Sequence, residues 1–324
     1  VWALSSTANT SSLVRFTNGA VTQYELLPVT GVGWFPSGIG RMFVLSGSTA
    51  SDATLFFAVG FDSTAQQRNQ LVRLSVMAGK PTTPQLMTST AFDSGIAEAM
   101  PFRTIVSIGG TAADDTKTNI IMSFIGIMFP SLRQARSHVS VLSTRTGDRT
   151  NDWIMVVAGG MNSTSTYSAA VDVLVEIAGS IIALTVSGSL SSGRINTAVV
   201  LHRQTFYNRY FIAIAGGETS SKLFDTIDVF ELPINFSPVD TVSLLQLPAK
   251  LSEPRTRIIG TTFANQLVYS GGFVAGGAAA RHLDVWDQEL EVIRRIDFEI
   301  SGDQYMVSIP FFNAFVEGFV ANKA

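Results

Sequence analysis

The sequence contains no cysteine, which excludes disulfide bonds, thiolate nucleophiles and thiolate metal sites from its 324 residues. Only 15 % of the residues are charged, against about 25 % in an average soluble domain. The net charge is −3, so we expect no overall attraction to nucleic acid or to acidic membrane surfaces. The longest apolar run, residues 120–129, is about half as long as a membrane-spanning helix requires. We interpret this run as a buried strand and expect no membrane-spanning segment.

The composition favours a folded chain with a large core. Hydrophobic residues make up 46 % of the sequence, a fraction that excludes intrinsic disorder. A core of this size needs no disulfides, so the lack of cysteine leaves the cellular compartment open. The chain begins with Val1 rather than methionine, which is expected of a processed product or of a fragment. The low charge favours a surface that is partly covered by partners in a larger assembly.

A short β-rich run that ends in small residues recurs along the chain. The first glycines of successive runs are 47 to 57 residues apart, and six copies account for the whole length. The runs at Gly60 and Gly318 carry one glycine each. The other four end in a glycine pair, namely Gly109 and Gly110, Gly159 and Gly160, Gly216 and Gly217, and Gly271 and Gly272.

Three further sequence elements recur at similar distances from the glycines in the repeats. About a dozen residues after the first glycine comes another apolar strand, and in three repeats it carries an aspartate: Asp172, Asp228 and Asp284. Before the glycine strand comes an arginine followed by an apolar or alternating run, at Arg41, Arg136, Arg194 and Arg255. A fourth strand fits between the aspartate strand and the next arginine, as at residues 181–186. Four strands per repeat in six repeats are typical of the blades of a β-propeller.

We therefore predict a single all-β domain over residues 1–324, a β-propeller of six four-stranded blades. Five blades are expected at residues 31–90, 91–130, 131–189, 190–250 and 251–300. Residues 301–324 begin the last blade and residues 1–30 complete it, so pairing of the N- and C-terminal strands closes the ring. The second blade is short, because 26 positions separate Gly110 from Arg136. Either its outer strand is lost or a segment is absent from this sequence.

The glycine pairs, the Asp-Val pairs and the arginine-led strands together resemble the kelch repeat. The match is best over residues 131–290, where three repeats combine Gly-Gly with Asp-Val. The resemblance implies a divergent kelch-like propeller whose blade-connecting loops bind protein partners. Kelch-like enzymes of the galactose-oxidase type use copper with a tyrosine crosslinked to cysteine, and a chain without cysteine cannot form that site.

The arginines that begin the inner strands are the candidate binding residues. In one interpretation Arg41, Arg136, Arg194 and Arg255 surround one mouth of the central channel and bind a carboxylate, a phosphate or an acidic peptide. In the alternative, which we favour, each arginine bonds carbonyls or an aspartate of the next blade and holds the ring together. The repeated aspartates and glycines are expected to be structural, because catalytic residues rarely recur once per blade.

No catalytic or metal-binding constellation is evident in the sequence. The three histidines, His138, His202 and His282, are not expected to converge, so we predict no metal and no cofactor. Our first hypothesis is a non-enzymatic kelch-like propeller that acts as a protein-interaction or structural subunit of a larger assembly. The alternative is a secreted carbohydrate-binding or carbohydrate-active propeller, favoured by the Ser/Thr-rich loops and the aromatic content. A small ligand or glycan is compatible with either hypothesis.

Overall fold

The protein is described here by a computed structural model. The structure describes residues 104–111, 116–123, 128–146, 153–163, 166–204, 208–245, 249–263, 266–287 and 292–297. It also describes the strand residues 2–6, 11–17, 20–26, 41–49, 52–61, 67–78, 80–82, 85–89, 96–100 and 318–319. Within these residues the secondary structure is almost entirely β, with one 3-10 turn at Ala275–Gly277. None of the described residues belongs to a helix long and apolar enough to cross a membrane.

The strands of the described residues are numbered in chain order. They are β1 (Trp2–Ser6), β2 (Ser11–Thr17), β3 (Ala20–Leu26), β4 (Arg41–Thr49), β5 (Asp52–Phe61), β6 (Gln67–Met77), β7 (Lys80–Pro81), β8 (Gln85–Ser89), β9 (Ile96–Met100), β10 (Thr104–Ile108), β11 (Ile121–Ser123), β12 (Ser140–Arg145), β13 (Trp153–Ala158), β14 (Val171–Ile177), β15 (Ser180–Ser187), β16 (Ala198–Gln204), β17 (Arg209–Ala215), β18 (Ile227–Pro233), β19 (Thr241–Leu245), β20 (Ile259–Phe263), β21 (Gln266–Ser270), β22 (His282–Asp287), β23 (Val292–Asp297) and β24 (Gly318–Phe319).

Consecutive strands pair antiparallel into units that follow one another along the chain. The units are β1–β3, β4–β8, β9–β11, β12–β15, β16–β19 and β20–β23. The units β12–β15 and β16–β19 are joined by parallel pairing of their outer strands, with Thr185 opposite Thr241 and Ser187 opposite Ser243. Their first strands, β12 and β16, also contact each other, so this eight-stranded sheet is nearly closed.

The burial of each strand follows from its place in its unit. All six residues of β13 and the first six of β14 are buried, which suits continuous apolar runs covered on both faces. The outer strand β15 instead alternates over its second half between exposed and buried residues. The inner strands of a unit are therefore enclosed by neighbouring units, and the fourth strand lies at the surface.

In the described part of the chain, hydrophobic clusters lie between consecutive units. One joins β10 and β11 to β12–β14 through residues such as Ile108, Val141 and Met155. Another joins β13–β15 to β16–β19, and a third joins β16–β18 to β21 and β22. The units from β9 to β23 therefore stack face to face in the order of the chain.

The structure confirms the all-β prediction, and β9–β11 is the unit that corresponds to the predicted second blade. The unit β9–β11 has three strands in the described residues, and β11 is only three residues long. At the ends of the chain, strands β1–β3 form one sheet and β24 pairs with β4, with Phe319 opposite Arg41. Strand β24 also contacts β1. Closure of the ring by the two ends of the chain stays a prediction.

Candidate functional site

Three connecting segments share the pattern Leu-x-x-x-Arg and lead from one sheet unit to the next. We call residues 132–136, 190–194 and 251–255 the arginine brackets. In each bracket the leucine is buried and the arginine side chain is completely inaccessible to solvent. The brackets are the sites where the repeated arginines and aspartates meet.

The backbone of each bracket is bonded to the preceding unit. In the second bracket the Leu190 amide donates to the Ala169 carbonyl at 2.9 Å, and the Arg194 amide donates to the Ser168 carbonyl at 3.2 Å. The Arg194 carbonyl accepts from the Gly160 amide at 3.0 Å. The first and third brackets make the same three bonds, from Leu132, Arg136 and Gly110 and from Leu251, Arg255 and Gly217.

The side chain of each bracket arginine reaches into the following unit. Arg194 donates from Nη2 to Asp228 Oδ2 at 2.6 Å and to the Ile214 carbonyl at 3.2 Å. Arg136 with Asp172 and Arg255 with Asp284 form the same ion pair, each at 2.6 Å. The aspartate also accepts the amide of the residue three positions before the arginine: Arg133, Ser191 and Ser252. One bracket therefore ties two units together, one through the backbone and one through a buried ion pair.

The electrostatics of the brackets make the aspartates indispensable. Burial lowers the pKa of Arg136, Arg194 and Arg255, and the paired aspartate opposes that shift in each case. The Nε atoms of all three arginines are buried and have no hydrogen-bond partner among the described residues. Because these cations have lost their hydration, the adjacent carboxylate is the main source of stabilisation for each charge.

The repeated glycines fit against the brackets. Gly159 has φ +63°, and a β-carbon at this position would lie 2.2 Å from the Arg194 carbonyl oxygen. Gly160 has φ +108°, and its β-carbon would meet the Ser137 carbonyl oxygen at 2.6 Å. The first glycine of the pair thus allows close approach of the next bracket, and the second allows close approach within its own unit. The other three pairs also have positive φ at both glycines.

The structure places three of the four candidate arginines inside the protein. The guanidinium groups of Arg136, Arg194 and Arg255 are engaged with aspartate and carbonyl oxygens and do not face solvent. This placement favours the alternative in which the arginines hold the units together. The sequence analysis expected an aspartate of the next blade, whereas each observed aspartate lies in the unit whose first strand follows its arginine. It does not support anion binding by these three side chains.

Arg41 is not equivalent to the other three arginines. Arg194 precedes β16 by four residues, and the first residue of β16, Ala198, pairs with Ala215 just before the glycine pair. Arg41 is instead the first residue of β4 and pairs with Ala58, two residues before Gly60. The strand register of Arg41 thus differs from that of the bracket arginines, and its role as a binding residue stays a prediction. Its side chain lies outside the described residues.

The bracket leucines and the residues that follow them were missed by the sequence analysis. The available signal was a leucine four residues before each of three arginines. In the first bracket Arg133 adds a second cation, with Nε 3.3 Å from Asp172 Oδ1 and Nη1 donating to the Val186 carbonyl at 3.1 Å. The first bracket therefore carries the largest net positive charge of the three.

The three histidines lie in three different units. His138 is exposed, with Nδ1 3.0 Å from Ser137 Oγ. His202 is buried in β16, and its Nε2 has no hydrogen-bond partner among the described residues. His282 begins β22 beside the third bracket. Nowhere in the described part of the chain do three His, Cys, Asp or Glu residues gather as metal ligands.

His202 is expected to make the protein less stable in acid. Burial lowers the pKa of His202 from its usual value of 6.5, so the unfolded chain binds this proton more readily than the folded one. The contribution is fully present above pH 6.5 and is lost as the pH falls below it. The slope is at most about 1.4 kcal/mol per pH unit. We expect His202→Leu to flatten the pH dependence of the melting temperature between pH 6.5 and 5, and an unchanged slope would contradict this role.

An open depression of about 440 Å³ lies beside the first bracket. Its polar lining includes Gln134, Asn162, Tyr167 and Ser189. The Arg133 guanidinium also borders it, but its nitrogens are engaged with Asp172 and with carbonyls. The depression therefore offers amide and hydroxyl groups to a ligand more readily than a free positive charge.

No protein-family model and no curated protein sequence matches the chain. Among solved structures, the chain is similar to the protein in "Structure of YjhT", with a TM-score of 0.55 and 11 % sequence identity. The similarity covers 89 % of this chain and 91 % of that one. At this identity the comparison shows a shared fold and carries no information about activity.

Proposed function

We propose that the chain is a six-bladed kelch-like β-propeller that acts as a protein-interaction or structural subunit of a larger assembly. The stacking of the units in the order of the chain supports the propeller. A rigid disc of this kind presents its connecting loops in fixed positions, which suits a scaffold.

The proposal rests on the observation that the repeated charged residues pair with one another inside the protein. The three bracket arginines pair with the three repeated aspartates, and all six side chains are buried. The recurring polar residues thus hold the frame together, which leaves the connecting segments for recognition. This arrangement is expected of a module that binds through its loops.

Exposed apolar side chains give independent support. Met77, Met128, Val239 and Ile296 are between 50 % and 87 % exposed, and they lie in different units. Together with a charged fraction of only 15 %, they favour a surface that is partly covered in the assembled state.

The proposal is tested by the molar mass of the protein isolated from its own cells, measured by light scattering after size exclusion. We expect a mass several-fold above 34.8 kDa. Val239→Lys or Ile296→Lys is expected to release the chain from the assembly if that side chain is covered. Thr185→Lys, at an exposed position of β15, serves as the control. A monomer of 34.8 kDa under these conditions would contradict the proposal.

The depression beside the first bracket favours a second candidate, carbohydrate binding. Amide and hydroxyl groups next to the Tyr167 ring are suited to a hydroxyl-rich ligand. If the native protein is a monomer, a glycan bound at this depression becomes the leading function.

A further inference from the structure

The third bracket brings a serine, a histidine and a glutamate within reach of one another. Ser252 Oγ lies 3.1 Å from His282 Nε2. On the other side of the ring, His282 Nδ1 lies 3.3 Å from Glu253 Oε1. A hydroxyl, an imidazole and a carboxylate in this order are the groups that activate a serine nucleophile.

The bracket itself holds these groups in place. The Ser252 amide donates to Asp284 Oδ2 at 3.3 Å, which places Ser252 over the start of β22. His282 is the first residue of β22 and is 1 % exposed, whereas Ser252 is exposed. Ser252 is therefore accessible to solvent, whereas the imidazole that its hydroxyl contacts is shielded from solvent.

The surroundings of His282 favour a neutral imidazole. Burial and the nearby Arg255 guanidinium lower the pKa of His282, and Arg295 acts in the same direction. Asp284, whose Oδ2 lies 3.9 Å from Nε2, and Glu253 oppose this shift. With the proton on Nδ1 facing the Glu253 carboxylate, Nε2 is free to accept the Ser252 hydroxyl proton.

We propose that Ser252 is an activated nucleophile that accepts an acyl group from small carboxylic esters, with His282 as its base and Glu253 positioning the ring. This activity goes beyond a scaffold role and does not depend on it. It also revises the expectation from the sequence that the chain carries no catalytic constellation.

The reaction follows the geometry of the three groups. Ser252 Oγ bonds to the ester carbonyl carbon while its proton passes to His282 Nε2. The bond from that carbon to the alcohol oxygen then breaks, and the alcohol leaves with the proton from Nε2. Water attacks the acyl-serine, His282 takes one water proton and returns it to Ser252 Oγ, and the carboxylic acid is released.

The second bracket contains a natural control for this site. Ser191 holds the position equivalent to Ser252, three residues before the bracket arginine. In the third bracket, His282 lies two residues before the paired Asp284. The equivalent residue of the second bracket, two positions before Asp228, is Thr226. Ser191 Oγ donates to Asp228 at 3.2 Å instead of to an imidazole. Ser191 thus shares the bracket environment without the base.

The first test is covalent labelling of the full chain with a fluorophosphonate, located by peptide mass spectrometry. Ser252 Oγ bonds to phosphorus, the P–F bond breaks, and fluoride leaves while His282 takes the serine proton. We expect Ser252 to be labelled about 10² times faster than Ser191, the contribution typical of a positioned base. His282→Gln should reduce the rate at Ser252 to that at Ser191. Equal rates at the two serines in the unaltered chain would overturn the proposal.

The pH profile distinguishes a base from a structural contact. The labelling rate should fall on acidification with the protonation of His282, and Glu253→Gln should move the midpoint to lower pH because it removes a negative charge beside the ring. Glu253→Asp should restore part of the labelling rate.

Ester hydrolysis provides a separate test. With p-nitrophenyl acetate, Ser191→Ala should release p-nitrophenol like the unaltered chain, and Ser252→Ala should not. A pH-independent rate, or equal release by all three proteins, would overturn the assignment.

Discussion

Replacing Arg194 with methionine is expected to lower the free energy of unfolding by about 3–5 kcal/mol. The change leaves Asp228 only 8 % exposed and without the guanidinium that lies 2.6 Å from it. It also removes the donor to the Ile214 carbonyl, while methionine keeps most of the apolar stem. Chemical denaturation followed by tryptophan fluorescence measures the loss, because Trp153 and Trp286 are buried in two of the clusters.

An exposed ion pair provides the control for this prediction. Arg209 and Glu231 are bonded at the surface, with side chains 48 % and 22 % exposed. Arg209→Met should therefore cost no more than about 1 kcal/mol. Combining Arg194→Met with Asp228→Asn should recover part of the loss, because the amide is uncharged and still accepts the Ser191 amide proton. Equal losses for Arg194→Met and Arg209→Met would show that the bracket contributes no more than a surface pair.

The second large effect is expected from Gly159→Ala. The left-handed conformation costs an alanine about 1–2 kcal/mol. The new β-carbon would also lie 2.2 Å from the Arg194 carbonyl oxygen, so the bracket must move. That movement weakens the bond from the Gly160 amide to the same carbonyl, and a buried group left without its partner costs about 1–3 kcal/mol more.

Gly179 is the matched control for the conformational part of this effect. Its φ is +80°, but a β-carbon there would meet nothing within 4 Å. Gly179→Ala should therefore show the conformational cost alone. The difference between the two variants, measured by the same denaturation experiment, reports the contact with the bracket. If both variants lose the same stability, the bracket does not require the close approach of Gly159.

The positions of the buried strands were predictable because local chemistry determines them. The apolar runs at 154–158 in β13 and 211–215 in β17 lead directly into a glycine pair, and the structure buries most of their residues between units. The fourth strand predicted at residues 181–186 lies within β15. The periodicity and the glycine spacing can be identified in the sequence without knowing which sheets stack together.

Arg41 and Arg194 occupy backbone positions that the sequence alone could not distinguish. Both precede apolar residues, so they look alike in one dimension. Register separates them, because Arg41 lies within β4 whereas Arg194 lies four residues before β16. Register depends on pairing with a strand elsewhere in the chain, and a shift of a few residues changes what the side chain faces.

The arginine side chains raised a second question that spacing cannot answer. The two interpretations, an arginine at the channel mouth and a buried arginine paired with an aspartate, predict the same sequence position within the repeat. Arg136 lies 36 residues before Asp172, and Arg255 lies 29 residues before Asp284, so no constant interval marks the pair. The stacking of the units removes these guanidinium groups from water, and desolvation then makes the carboxylate partner necessary.

The sequence by itself determined that the chain is all-β, that its strands come in repeated groups and that thiol chemistry is excluded, because these properties follow from composition and period. Only the tertiary structure decided that the repeated arginines are buried brackets. It also placed Ser252 and His282 3.1 Å apart, although 30 residues separate them in the chain. Such contacts arise from the docking of one unit on the next, and no local pattern records which side chains that docking brings together.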